Sequence, residues 1–306
     1  MQRTITHPVT FQGVGLHSGQ PATVTLCPAP AGAGIVFRRV DLAMARNRIP
    51  ALWHLVEHMP LCTRLVNDDG VSINTVEHVM AALVGCGIHN ALVDVDGPEV
   101  PILDGSAEPF VIGILAKGLC LLGEPVRALR VLRRIDARRG GSWACLMPHD
   151  TLRIEFDIAF EDAAIGVQTK SLDMANGSFV RELSNSRTFC RKADVERMHA
   201  NGLALGGTLE NAVVVEGGQV LSPGGLRHAD EAVRHKMLDA LGDLGLAGLP
   251  ILGHYHGFCA GHALTNALLH RLFADADNYE VILCPPDIDA RLPGVGLHWG
   301  RIPQVA

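Results

Sequence analysis

A run of strand-forming segments followed by helices occurs twice along this 306-residue chain, and the break between the two runs falls at Gly123-Glu-Pro125. That order excludes the strict strand–helix alternation of a doubly wound parallel sheet and points to an α+β architecture. In the first run Ala22-Thr-Val-Thr-Leu-Cys27 alternates apolar and polar, is closed by Pro28 and Pro30, and is followed by Gly34–Arg39. A helix is expected from about Asn74, because Val76, Val79, Met80 and Leu83 recur at three-and-four spacing, and Gly85 and Gly87 stop it. The strand Ala91–Val95, a loop over 97–107 and a second helix over Phe110–Leu119 complete the run. In the second, Leu152-Arg-Ile-Glu-Phe-Asp-Ile158 is the cleanest alternation in the sequence. A short helix over Ala193–His199 ends at Asn201-Gly202, and residues 212–221 read as a hairpin turning at Gly217-Gly218. Asp230–Leu244 is an amphipathic helix with Val233, Met237, Leu241 and Leu244 on one stripe. Leu264–Phe273 is a further helix, and Glu280–Cys284 a late strand. Two domains are expected, 1–124 and 125–306.

Composition narrows the function. Hydrophobic residues make up 48% and charged ones 19%, enough to build sizeable cores and too apolar for a disordered chain. A net charge of −6 with 5% aromatics argues against nucleic-acid binding, which needs a basic face and stacking surfaces. No apolar stretch reaches the ~20 residues that a bilayer demands. Met1-Gln-Arg-Thr-Ile-Thr-His-Pro8 lacks the apolar run of a signal peptide. Eight dispersed cysteines, none in a CxxC pair, fit reduced thiols in the cytoplasm. A cytoplasmic protein with a small-molecule partner is expected, and any metal should sit on His and carboxylate.

No lysine follows a glycine, so there is no phosphate-cradling P-loop; GxSxG, GxGxxG and HExxH are absent as well. Fifteen histidines remain. His54 and His58 are four apart, but the segment between Pro50 and Pro60 has room for only a short helix, and the pair reads as a decoy. His254 and His256 alternate on a strand without a carboxylate nearby in sequence. On the helix Asp230–Leu244, His235 and Asp239 stand at i and i+4 with Asp243 one turn on. Such a pair shares one face and can share a metal ion, or can be a favourable surface pair. In Asn74-Thr-Val-Glu-His78, Asn74 and Glu77 can form a capping box; alternatively His78 is a third metal ligand with Glu77 beside it as general base. Three protein ligands would leave a position open, the arrangement of a catalytic site. His262 follows Gly261 at a loop-to-helix junction, Thr188 offers a hydroxyl and Lys236 a positive charge; each alone reads as structural.

Together these segments resemble one family. Gly13-Val-Gly-Leu-His17, Thr75-Val-Glu-His78 and Pro98-Glu-Val-Pro-Ile-Leu-Asp-Gly-Ser106 in the first half match the UDP-3-O-acyl-N-acetylglucosamine deacetylases. So do Ser186-Arg-Thr-Phe189, Val233-Arg-His-Lys-Met-Leu-Asp239 and Gly261-His-Ala-Leu264 in the second, in order from about Gln2 to about Phe273. The resemblance implies two α+β domains, each a mixed sheet packed on a helix pair, with the active site between them. It implies hydrolysis of the N-acetyl group of a UDP-linked, 3-O-acylated glucosamine, the committed step of lipid A synthesis in Gram-negative bacteria, by a monomer. One catalytic zinc would be held by His78, His235 and Asp239. Glu77 would be the general base, His262 the acid or electrostatic partner oriented by Asp243, and Thr188 a donor to the oxyanion. Phe189, Lys236 and His17 would lie along the cleft. The segment 193–215 would form an apolar passage for the acyl chain through Leu203, Leu205, Val213 and Val214, with glycines allowing close approach. The chain departs from the family at Ser142 and Cys259, where lysines are expected, and at Ala260, where serine is common. Lys236, Arg187, Arg191 and Lys192 are then the nearby cations for a diphosphate. A zinc amidohydrolase for another acylated amino sugar and a non-catalytic zinc-stabilised binding protein are the competing readings. Glu77 beside an open metal position separates the enzymes from the last.

Overall fold

The computed structural model describes residues 1–44 and 46–297. Strands Val9–Val14, Pro21–Pro28, Ala91–Val95, Ile35–Arg39 and Arg48–Pro50 form, in that order, a five-stranded mixed sheet. The alternation in Pro21–Pro28 explains its orientation: Ala22, Val24 and Leu26 are buried while Thr23, Thr25 and Cys27 are half-buried. The only parallel pair in this sheet joins Ile35–Arg39 to Ala91–Val95.

A seven-stranded sheet is centred on Ile251–Phe258. That strand is antiparallel to Ser142–Met147 on one side. On the other it runs parallel to Leu152–Ala159, and its start is also parallel to Arg127–Val131. Ile135–Arg139, Val167–Asp173 and Tyr279–Leu283 extend the sheet. The expected hairpin is present as Val213–Glu216 and Gln219–Val220, with Phe189–Arg191 added parallel to form a third, small sheet.

Seven helices occur among the described residues: α1 Glu77–Gly85, α2 Glu108–Lys117, α3 Ser178–Glu182, α4 Lys192–Ala200, α5 Glu231–Leu244, α6 His262–Phe273 and α7 Pro286–Asp289. The α+β expectation holds. None of these helices is long and apolar enough to cross a membrane. Buried apolar side chains from both halves join in one continuous core in which α1 lies against α5. The two helices approach closely because Gly242 of α5 has no side chain: a Cβ there would collide with the Glu77 carbonyl oxygen.

Three expectations about helix starts are corrected. Helices α2 and α6 begin at Glu108 and His262, each two residues before the expected Phe110 and Leu264. Helix α1 begins at Glu77, not near Asn74, and carries no side-chain cap. Asn74 instead forms a β-bridge with Glu99, and Thr75 at φ 58° turns the chain out of extended geometry just before the helix. The capping box therefore does not form, and the Glu77 carboxylate is free for other partners. The pentapeptide Gly13-Val-Gly-Leu-His17 recurs at 294–298, a five-residue match that chance explains, and the last residue of that recurrence, His298, lies outside the described residues.

Candidate active site

His78 enters from the first turn of α1, while His235 and Asp239 come from successive turns of α5. Helix packing brings these residues together, with one ligand atom from each lying within 4.8 Å of the others. They are the one such trio among the described residues. Asp239 Oδ1 lies 3.4 Å from His235 Nε2 and 3.7 Å from His78 Nε2, and all three residues are buried. His235 Nδ1 is 3.0 Å from the Ser186 carbonyl oxygen and donates to it, which leaves the Nε2 lone pair facing the trio. Lys236 Nζ donates to Asp239 Oδ2 at 2.8 Å, whereas Asp239 Oδ1 has no hydrogen-bond partner.

Electrostatics agree with a cation site. Burial outweighs the attraction of Asp239 and lowers the His235 imidazole to about 4, so it is neutral and able to ligate at pH 7. Burial alone would raise the Asp239 carboxyl. The charges of His235 and Lys236 override it and hold Asp239 well below the usual carboxylate range. An orphaned, ionised carboxylate oxygen facing two imidazole nitrogens is a poor arrangement for a dry core. It suits a divalent ion well.

Next to the trio stand Glu77, Asp243 and His262. His262 is the first residue of α6. Its Nδ1 donates to Asp243 Oδ2 at 2.8 Å, and its Nε2 lies 3.8 Å from Glu77 Oε1. Burial by itself would lower the His262 pKa, but Asp243 next to it, helped by Glu77 and Asp239, raises it to about 9. Burial likewise raises the Glu77 carboxyl, with His262 pulling the other way. A carboxylate of increased basicity thus faces an imidazolium held charged at neutral pH.

These groups line a cleft of about 1540 Å³ shared with His17, Thr188, Phe189, Lys236, Leu203 and Val214. Every proposed ligand and reacting group except Asp243 is on its wall; Asp243 sits behind His262, 3% exposed. His17 presents a buried Nε2 with no partner, and its backbone N–H is held by Glu99 Oε1 at 2.8 Å. Phe189 packs edge-on against Phe160, with ring centroids 5.4 Å apart.

Several expectations are redistributed. Val213 does not face the cleft: in a strand alternate residues share a side, so Val213 and Val215 enter the core while Ala212 and Val214 line the cleft. Leu205 also lies off the cleft wall, 54% exposed, because the chain there runs along the Leu16–His17 turn. The expected close approach of a glycine is present: a Cβ on Gly206 would collide with the Gly15 carbonyl oxygen. His54 and Glu57 are exposed, Glu57 pairing with Arg64 and His58 sitting at the cleft rim, so the pair at 54 and 58 builds no site. His254 and His256 do find carboxylates, from the adjacent strand: Glu155 Oε2 is 3.1 Å from His254 Nε2 and Asp157 Oδ2 is 2.7 Å from His256 Nε2. Those carboxylates are a hundred residues away in sequence, and only sheet register reveals them.

Of the nearby cations, Arg187 is withdrawn into a buried pair with Glu231. Arg191 pairs with Asp162, Lys192 with Glu216, Arg197 with Asp194 and Lys236 with Asp239. Residues that sequence reasoning missed are Thr63, Glu99 and Ser186. Glu99 stood inside a motif already singled out, but nothing in its spacing showed that it would hold the backbone of His17 and Ser18 and the Thr75 hydroxyl.

A family model for UDP-3-O-acyl N-acetylglycosamine deacetylase matches residues 2–274. A protein of Shewanella violacea named UDP-3-O-acyl-N-acetylglucosamine deacetylase is 45% identical over 283 residues, 92% of each chain. Proteins of the same name from Idiomarina loihiensis and Shewanella oneidensis are each 44% identical, over 283 and 291 residues, covering 92% and 94% of this chain and 92% and 95% of theirs.

Proposed function

The chain belongs to the UDP-3-O-acyl N-acetylglycosamine deacetylase family, and from that premise we propose that it hydrolyses the N-acetyl group of a UDP-linked, 3-O-acylated glucosamine, releasing acetate at the committed step of lipid A synthesis. The observation that carries the reading is the buried His78–His235–Asp239 trio beside the Asp243–His262–Glu77 array on one cleft wall. We read residues 1–124 and 125–306 as its two domains, and the eight free cysteines suit a cytoplasmic protein.

The residues of the trio fit one zinc ion, which when bound would supply Lewis acidity toward the acetamide carbonyl and the attacking water. Glu77 takes the proton of that water as its oxygen bonds to the carbonyl carbon. Thr188, half-buried on the wall, donates its hydroxyl toward the oxygen on which negative charge develops. The carbon–nitrogen bond then breaks, acetate leaves, and the departing amine receives a proton from His262, which Asp243 keeps charged and oriented. Lys236 shares the charge of Asp239 and keeps its Oδ2 occupied, leaving Oδ1 for the ion. Ala212, Val214, Leu203 and Met198 offer the apolar wall against which the acyl chain lies, and His17 and Phe189 flank the sugar. Arg139 is the one lysine or arginine on the cleft wall, among the described residues, without a carboxylate within ion-pair distance, and we assign it to the diphosphate.

The test is acetate release from the UDP-acyl-sugar before chelation, after chelation and after zinc return. Activity lost and regained in step with bound zinc supports the reading. Acetate release from the acylated substrate that is indifferent to chelation, or absent throughout, overturns it.

A further inference from the structure

Two carboxylates of the site meet at one threonine. Thr63 stands just before the strand Arg64–Val66 and is 2% exposed. Its hydroxyl donates to Asp243 Oδ1 at 2.6 Å, and its backbone N–H donates to Glu77 Oε2 at 3.0 Å. Its carbonyl oxygen takes the Val76 N–H at 3.3 Å, which ties the same residue to the start of α1. Asp243 thus has one donor on each oxygen, Thr63 on Oδ1 and His262 Nδ1 on Oδ2. Glu77 has the Thr63 N–H on Oε2 and turns Oε1 toward His262.

We propose that Thr63 is a positioning residue for the deacetylation: its hydroxyl fixes Asp243 so that His262 is held in one orientation, while its backbone N–H aims Glu77. The proposal rests on the reading of Glu77 and His262 as base and acid. The physical case is one of donor count. A buried carboxylate with one donor per oxygen has a defined rotamer; remove one donor and the 3% exposed Asp243 must turn to satisfy the vacated oxygen. A short hydroxyl-to-carboxylate bond is of the stronger, charge-assisted kind, so its loss is felt through the imidazole. The backbone contact to Glu77 survives any side-chain change at position 63, so substitution isolates the hydroxyl.

Thr63→Val keeps the shape and removes that hydroxyl, whereas Thr63→Ser keeps it. Thr63→Val is expected to lower kcat by roughly 10–100-fold, the scale of a mis-set catalytic group, with KM within about twofold. Thr63→Ser should return kcat to within about threefold of the parent. In a His262→Gln background Thr63→Val should add no further loss, because its effect passes through that imidazole. A readout free of turnover is the low-field proton NMR signal of His262 Nδ1–H, identified by its absence in His262→Gln. It should shift in Thr63→Val and return in Thr63→Ser. Losses that multiply in the double variant, a serine variant as impaired as the valine one, or an unmoved Nδ1–H signal would each overturn the proposal. If the parent enzyme itself releases no acetate, the deacetylase reading fails, while the NMR comparison still decides the role of Thr63.

Discussion

Replacing Asp243 with asparagine should convert His262 from an acid that is charged at neutral pH into one that is not. Asp243 is the largest of the influences that raise the His262 pKa from its ordinary 6.5 to about 9, and burial is the larger force opposing them. Without the Asp243 charge, burial faces only Glu77 and Asp239, and the pKa falls well below the parent's. At a pH above the variant's pKa, each unit that separates it from the parent's costs the variant about tenfold in protonated fraction. As pH falls below the variant's pKa the two fractions converge. Asp243→Asn should therefore lose roughly tenfold or more in kcat/KM at alkaline pH and little at acid pH, its alkaline limb lying below the parent's. A divalent ion at the trio lowers both pKa values together, so parent and variant are compared in the same zinc-loaded state. The assay is acetate release across pH 5.5–9.5, with zinc content measured in parallel. A uniform loss at every pH, or a parental alkaline limb in the variant, would refute the reasoning that Asp243 works through the charge of His262.

Asp239→Ala should abolish stoichiometric zinc binding, read by elemental analysis, because it removes the orphaned Oδ1 on which both imidazoles converge. Glu77→Ala should keep the metal and lose roughly 10²–10⁴-fold in turnover, the usual worth of a general base. Gly242→Ala drives a methyl into the Glu77 carbonyl and should cost about 1–3 kcal/mol, read as a lower Tm together with impaired zinc binding. The raised pKa of His262 also acts on stability. Its contribution in metal-free protein is fully present below about pH 6.5 and disappears as pH rises through about 9, so urea midpoints should fall across that window in the parent and less in Asp243→Asn.

The α+β class was legible because the period of the apolar pattern changes from two to three-and-four twice along the chain. Two residues of the candidate metal trio were legible for the same reason, since His235 and Asp239 share a helix face by spacing alone. His78 and Glu77 stood as one of two readings of their segment, the capping box being the other, and the resemblance chose between them and joined His262 to them. What spacing misjudged was the start of α1. Asn74 and Glu77 have the pattern of a capping box, but Asn74 is held in a bridge to Glu99 and Thr75 breaks the geometry, so the local preference gives way to a tertiary contact. Thr63 was invisible for a different reason: its hydroxyl bond reaches across 180 residues, and a lone threonine in a loop carries no periodicity to announce it.

Helix α5 shows most clearly where pattern ends and site begins. Its apolar stripe of Val233, Met237, Leu241 and Leu244 packs inward as expected. An ordinary surface helix would turn the opposite stripe to water. Here His235, Asp239 and Asp243, spaced four apart, are buried too, none more than 6% exposed. Three ionisable residues in a row inside a protein are strongly unfavourable unless each polar group is matched. Each is matched from a different part of the chain: Asp243 by Thr63 and His262, Asp239 by Lys236, and His235 by the Ser186 carbonyl. The partners of two members saturate their polar atoms or nearly so, but Asp239 keeps one oxygen with none. That single unsatisfied oxygen, aimed at two imidazole nitrogens between closely packed helices, is the feature that a structural role for the stripe does not explain and a bound cation does.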